Sequence, residues 1–357
     1  MAAASPAGGG SGQEVRVVRV YLDGAHGLGK TTTGRALAAT AGGDVLYFPE
    51  PMAYWRAMFA TDALSGIFAA SARRAAAGEE GARAADAAGL VAYYQARFSV
   101  PYLALHARVA ALLAPRAPRG RAEGAALALV FDRHPVAACL CYPLARYCLR
   151  ELNVEDLIML MAALPPEAPG ANLVVCTLPV AEQQRRLAAR GRAGDCADGR
   201  FLAAVKAAYE LLADTCAFLR AGGAWRSGWG ALEWATADAL RARVAPERAP
   251  RDPAAPPALR DTIFAVFKSR ELCRDGGALP AVHAWALDAL AARLAAFDVF
   301  TLDMSAPPDA CASAVRGLLP AMRAGRTGAA GAAALAALAR QFALEMAWEP
   351  PVAPGRL

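Results

Sequence analysis

A chain of 357 residues with a formal net charge of +6 is long enough to bury a substantial core as one elaborated domain. Its longest strongly apolar run, LIMLMAAL at 157–164, falls far short of the ~18 residues that a membrane span needs, which argues against a membrane partner. The charge would suit a nucleic-acid partner, but the arginine excess is scattered and lacks a dense basic run with interleaved aromatics; an anionic small ligand explains it as well, and no nucleic-acid partner is expected.

The opening MAAASPAGGGSGQE has neither a basic start nor a run of large apolar residues, so residues 1–14 read as a disordered lead-in and not as a secretion signal. VRVVRVYL at 15–22 is a β-branched run that ends at Asp23 and Gly24, and TTTGRALAATA after it has a helical pattern. Further strands are expected in VLYFPEP (45–51), LALVFDRHP (127–135), NLVVCTLP (172–179) and FDVFTLD (297–303), with helix-like segments at 85–113, 136–163 and 181–221 between them. Strands alternating with helices predict an α/β fold, a parallel sheet covered on both faces.

Stretches at 71–88, 114–126 and 243–260 have linker composition and read as surface insertions within a single domain over 15–346. The segment 333–346 is helical in pattern, and 347–357 reads as a disordered tail. Eight cysteines show no CxxC pair and no zinc-ligand spacing, which reads as reduced thiols in an intracellular protein.

Of 38 basic residues only Lys30, Lys206 and Lys268 are lysine, so Lys30 stands out inside DGAHGLGKTTT. Gly24, Ala25, His26, Gly27, Leu28, Gly29, Lys30 and Thr31 match G-x-x-x-x-G-K-[ST] in full, at the strand-to-helix turn the motif requires. Backbone N–H groups of such a loop, extending to Thr32, cradle the phosphates of ATP, Lys30 reaches the β- and γ-phosphates, and Thr31 would ligate Mg2+. Asp132, after an apolar run, is placed as the second-strand acid that holds magnesium through water. Arg133 follows it where motor ATPases carry a second acid, which argues against a nucleotide-hydrolysing switch or motor, the main alternative. Glu50 in YFPEP sits at a strand end, placed to take a proton from an acceptor hydroxyl. Arg185, Arg186, Arg190 and Arg192 crowd AEQQRRLAARGRAGD and suit an arginine-rich lid over phosphates.

DGAHGLGKTTT, YFPEPMAYWR, YYQARFSVPY, FDRHPVAACLCYP and RRLAARGR occur in the order found in herpesvirus thymidine kinases, and the chain resembles that family, on its alphaherpesvirus branch, from about residue 15 to 346. The resemblance implies a P-loop kinase fold with a parallel five-stranded sheet, a homodimer in the infected host cell, and γ-phosphate transfer from ATP to the 5'-hydroxyl of thymidine. Deoxycytidine and thymidylate are further candidate acceptors. By motif, Glu50 resembles the catalytic base, and Asp132 and Arg133 resemble the magnesium-side acid and the arginine near the 5'-oxygen. Gln95 resembles the residue that pairs with the thymine edge, Trp55 part of the pocket wall, and Phe98 and Tyr142 the pair that sandwiches the base, with Arg146 nearby through water. Arg186, Arg190 and Arg192 match the phosphate-handling arginines. The chain departs from the family pattern at Phe68, where tyrosine is found, at Asp195, where glutamate is familiar, and at Phe98, which replaces a methionine. The first two bear on how the sugar 3'-hydroxyl is held.

Overall fold

The computed structural model describes residues 14–78, 81–113, 126–167, 170–191, 196–245 and 255–347. Strand β1 (Val15–Asp23) is buried along most of its length, and the chain turns at its end into helix α1 (Lys30–Ala39). β2 (Val45–Phe48) follows, then α2 (Ala63–Ala76) and the long α3 (Ala82–Ala111). β3 (Ala126–Asp132) leads to α4 (Tyr142–Cys148) and α5 (Val154–Ala162), and β4 (Ala171–Thr177) to α6 (Val180–Arg190) and α7 (Gly199–Arg220). Two short helices, α8 (Trp225–Gly228) and α9 (Ala237–Arg243), precede α10 (Ala281–Leu294), β5 (Asp298–Asp303), α11 (Pro308–Leu318), β6 (Gly325–Thr327) and α12 (Ala329–Met346).

The five expected strands form a parallel sheet in the order β2-β3-β1-β4-β5. A sixth, β6, which the sequence did not announce, pairs antiparallel with the start of β1. Because β1 lies between β3 and β4, the chain leaves it to one side and then the other, and ligands collect at the carboxyl ends of strands at such a reversal. The register puts Leu22 beside Asp132 and Tyr47 beside Val130, so the turns after β1, β2 and β3 converge.

Residues 71–88, expected as a linker, are instead helical up to Ala76 and again from Ala82. Alanine is the strongest helix former, and the break is confined to a turn with Gly78 and Gly81 at positive φ. The expected insertion at 114–126 lies almost wholly outside the described residues and that at 243–260 half so, while the lead-in and the tail lie largely outside them. α3 continues through Pro101, which has no N–H to donate to the preceding turn. Among the described residues no helix is long and apolar enough to cross a membrane, and all eight cysteines are free thiols.

Candidate active site

The turn after β1 wraps so tightly that only glycine fits at its start. Gly24 has φ +129°, and a Cβ there would sit 2.5 Å from the Cys176 carbonyl oxygen. Lys30, buried at the first position of α1, donates from Nζ to the Ala25 carbonyl at 2.6 Å, so its ammonium lies folded over the loop that would receive phosphates. Burial lowers its pKa, as does Arg133, while Asp132 and Glu50 act in the opposite sense. The Thr31 hydroxyl donates to Asp132 Oδ2, and the Tyr47 hydroxyl donates to the same oxygen at 3.2 Å. Asp132 Oδ1 is buried with no hydrogen-bond partner among the described residues. Burial, followed by the repulsion of Glu50, raises the Asp132 pKa. An orphaned carboxylate oxygen beside a threonine hydroxyl is the donor set a hard divalent cation takes, so Thr31 and Asp132 fit Mg2+.

β2 delivers Glu50 and β3 delivers Arg133. Arg133 Nε donates to Glu50 Oε1 at 2.8 Å, while the other arm of the guanidinium reaches the Gly24 carbonyl and lies 3.5 Å from Asp23 Oδ1. The Glu50 side chain keeps 22% exposure, enough to meet an acceptor entering from the cleft. Arg133 also lies over the Tyr142 ring, 5.2 Å from its centroid. Its backbone is left-handed, at φ +83°.

An apolar cleft of about 170 Å³ opens beside this pair. Glu50, Trp55, Phe68, Gln95, Phe98, Asp132, Arg133, Tyr142, Arg146 and Arg190 line it, together with His26, Gly27, Gly29, Lys30, Thr31 and Thr32 of the loop. Gln95, Phe98 and Tyr102 follow one another at one-turn and two-turn spacing on α3, which gives them a common face. The Gln95 amide donates from Nε2 to the Ala138 carbonyl at 3.1 Å. Trp55 meets Phe98 edge-on at 4.8 Å and Tyr102 at 5.6 Å. Trp55 and Ala138 sit in single π-helical turns, Tyr54–Met58 and Ala137–Cys141, a local widening common at functional sites. The first turn is braced from behind, since the Tyr54 hydroxyl donates to Glu345 of α12, whose Phe342 packs near Tyr54 and Phe48.

Not every expected residue faces the cleft. Leu28 and Ala25 point into the core, and of Leu28 only the carbonyl serves the site, accepting from Arg186 at 3.3 Å. Arg186 is held by Glu182 at 2.9 Å, and Arg185 by the same carboxylate at 2.7 Å. Arg146 donates to Ser71 at 2.6 Å and pairs with Glu151, with its guanidinium over Phe201. His26 touches the lid's return path, its Nε2 2.7 Å from the Cys196 carbonyl. Arg192 and Asp195 lie outside the described residues. Sequence reasoning missed Tyr102, Phe201 and Asp23. Tyr102 and Phe201 line the cleft, and Tyr102 was signalled by its helical spacing from Gln95. Asp23 is fully buried and accepts from the backbone N–H of Gly24 and of His134 and from the Tyr209 hydroxyl, the last two too distant in sequence to be seen.

A phosphate loop that shares a cleft with a carboxylate–guanidinium pair and several aromatic side chains is built to move a phosphoryl group onto a small ring-bearing acceptor, the work of a P-loop kinase. The model of the family "Thymidine kinase from herpesvirus" matches residues 24–304. The thymidine kinase of Bovine herpesvirus 1.2 (strain Q3932) is 69% identical over 352 residues, covering 95% of this chain and 97% of that relative. The thymidine kinase of Equine herpesvirus 4 (strain 1942) is 43% identical, with 94% of each chain covered. A crystal structure of EHV4-TK complexed with Thy and ADP superposes with a TM-score of 0.86 at 42% identity, over 94% of this chain and 99% of that one. The chain belongs to the herpesvirus thymidine kinases.

Proposed function

We propose that this chain transfers the γ-phosphate of ATP to the 5'-hydroxyl of thymidine, with deoxycytidine as a poorer acceptor and thymidylate as a candidate one. The observation that carries this reading is the contact between Glu50 and Arg133 at the mouth of an aromatic slot whose wall carries one primary amide. Glu50, held against its guanidinium partner, accepts the proton of the acceptor hydroxyl as its oxygen attacks. Arg133 meets the charge that builds on the oxygens, and Lys30 swings from the Ala25 carbonyl to the phosphates. Arg190 and Arg186, with Arg192 beyond them, close over the phosphates from the lid. Magnesium, held by Thr31 and through water by Asp132, would neutralise phosphate charge.

Gln95 supports the choice of base. Its amide has a carbonyl and a second N–H left for a ligand after donating to Ala138, and in that orientation it accepts from the thymine ring N–H and donates to the adjacent carbonyl. Cytosine requires the amide rotated by half a turn, which sets two carbonyl oxygens against each other and loses the Ala138 bond. That loss, about 0.5–1.5 kcal/mol, should favour thymidine over deoxycytidine by roughly two- to tenfold in kcat/KM. Gln95→Leu should weaken both nucleosides by about 1–3 kcal/mol, because each buried base edge loses its partners. Gln95→Glu should harm thymidine in particular, since an ionised carboxylate has no donor to offer. The measurement is kcat/KM for both nucleosides in wild type and each variant. A leucine variant as active as wild type removes Gln95 from the pocket.

The test of the function as a whole is whether ATP turnover depends on added nucleoside, with dTMP as the product. Turnover of ATP at the same rate with no nucleoside present would return the chain to the switch or motor class. We also infer an intracellular homodimer in the infected host cell. Val282 and Trp285 on α10, and Met159 on the adjoining α5, are large apolar side chains left exposed in the single chain, and sedimentation velocity would measure the assembly.

A further inference from the structure

Behind the cleft, and lining none of it, lies a second group of ionisable side chains that the phosphoryl transfer does not use. Arg19, in the middle of the central strand, is 1% exposed and donates from one guanidinium nitrogen to Glu167 Oε2 and to the Tyr21 hydroxyl, both at 3.2 Å. Glu167, fully buried at its side chain, takes His134 Nε2 on its other oxygen at 2.6 Å. His106, from α3, puts Nδ1 3.6 Å from that same oxygen and Nε2 3.4 Å from the Pro166 carbonyl. Tyr21 and Phe297 meet the His134 ring edge-on at 4.5 and 4.9 Å.

The tautomer of His134 follows from its neighbours. Nδ1 accepts the Val136 backbone N–H at 2.9 Å, so the ring proton sits on Nε2 and points at Glu167. A cation bound among His106, His134 and Glu167 would need a lone pair on that same Nε2, and Arg19 already supplies the positive charge. The group is therefore a hydrogen-bonded ion pair and not a metal centre.

Its position gives it a task. His134 directly follows Arg133, whose left-handed backbone is strained for any residue with a Cβ and persists only where its surroundings hold it. The hold has two sides: the Arg133 N–H donates to the Leu22 carbonyl at 3.0 Å, and the His134 N–H donates to Asp23 Oδ2 at 3.0 Å. The side chain of His134, tied to Glu167, stops the turn from unwinding. If the turn relaxed to negative φ, the guanidinium would swing away from Glu50.

We propose that His134 and Glu167 are positioning residues that lock Arg133 in its left-handed turn against Glu50, with Arg19 holding Glu167 in place from β1. This rests on the kinase reading above. His134→Leu leaves Glu167 paired with Arg19 and so strands no charge. It should lower kcat by roughly 10- to 100-fold with the thymidine KM within about threefold, because Arg133 acts on the reacting oxygens and not on the base. His134→Gln, which keeps an N–H for Glu167, should recover most of the loss. In an Arg133→Ala background His134→Leu should cost less than about twofold more, since the residue it positions is gone; a role in general stability would add in full. The crystal structure of His134→Leu gives a readout independent of catalysis: Arg133 φ should turn negative. Arg133 unmoved at positive φ on Glu50, or full additivity in the double variant, overturns the proposal. If His134→Leu does not fold, the pair Arg19→Met with Glu167→Leu removes both charges together and should lower kcat in the same way; an unchanged kcat in that folded variant overturns it too. Absence of thymidine phosphorylation in the wild type would instead sink the kinase reading and leave the crystallographic test standing.

Discussion

Glu50→Gln should reduce kcat for thymidine phosphorylation by roughly two to four orders of magnitude while leaving thymidine affinity close to wild type. Glutamine preserves the shape of the side chain, and its carbonyl can still accept from Arg133 Nε, which now lies 2.8 Å from the carboxylate. Arg133 also keeps the Gly24 carbonyl and Asp23, so the guanidinium stays where it is. What disappears is the basicity that draws the proton off the acceptor as the phosphoryl group transfers. Steady-state kinetics with thymidine binding measured by calorimetry separates the two quantities. A collapse of affinity with turnover preserved at saturation would make Glu50 a binding residue and leave the reaction without its base.

Lys30→Met should fold normally and lose most phosphoryl transfer. Methionine matches the length of the buried stem, so packing at the start of α1 is retained, and the Ala25 carbonyl loses one donor at a cost of about 1 kcal/mol. Loss of the ammonium also relieves its repulsion with Arg133, the second cause of the depressed Lys30 pKa after burial. The penalty falls on the transition state, where the charge that follows the γ-phosphate is missing. Circular dichroism and thermal melting would confirm the fold, and single-turnover kinetics would report the chemical step. Near-normal turnover in a well-folded variant would remove the P-loop reading altogether.

The parts of this site that could be read from sequence are those whose geometry is local. Gly24 to Thr31 is a contiguous motif, and Glu50 and Asp132–Arg133 each end a recognisable apolar run, so their convergence follows once the strands are taken as one parallel sheet. The partners that hold them were hidden by distance along the chain. Tyr209 reaches Asp23 across 186 residues and Glu167 reaches Arg19 across 148, and no spacing rule connects such pairs. A signal for the second pair did exist, in an arginine placed mid-strand in VRVVRVYL, where a buried charge must find a counter-ion. The helices flanking residue 79 were obscured by alanine, glycine and arginine together, a composition shared by linkers and by helices that pack through small side chains. β6, three residues long, carries too little pattern to register.

The bond from Tyr54 to Glu345 also has a meaning in time. The two residues lie 291 positions apart, so the turn that presents Trp55 to the cleft waits for a brace made long after it. At ~5–20 residues per second, synthesis alone separates them by about 15–60 s. Until α12 is released, β2 and its carboxylate lack their backing, so a nascent chain in which the phosphate loop has already emerged is not yet an enzyme. The ribosome thus completes the glycine-rich loop long before the brace that backs the turn carrying Trp55.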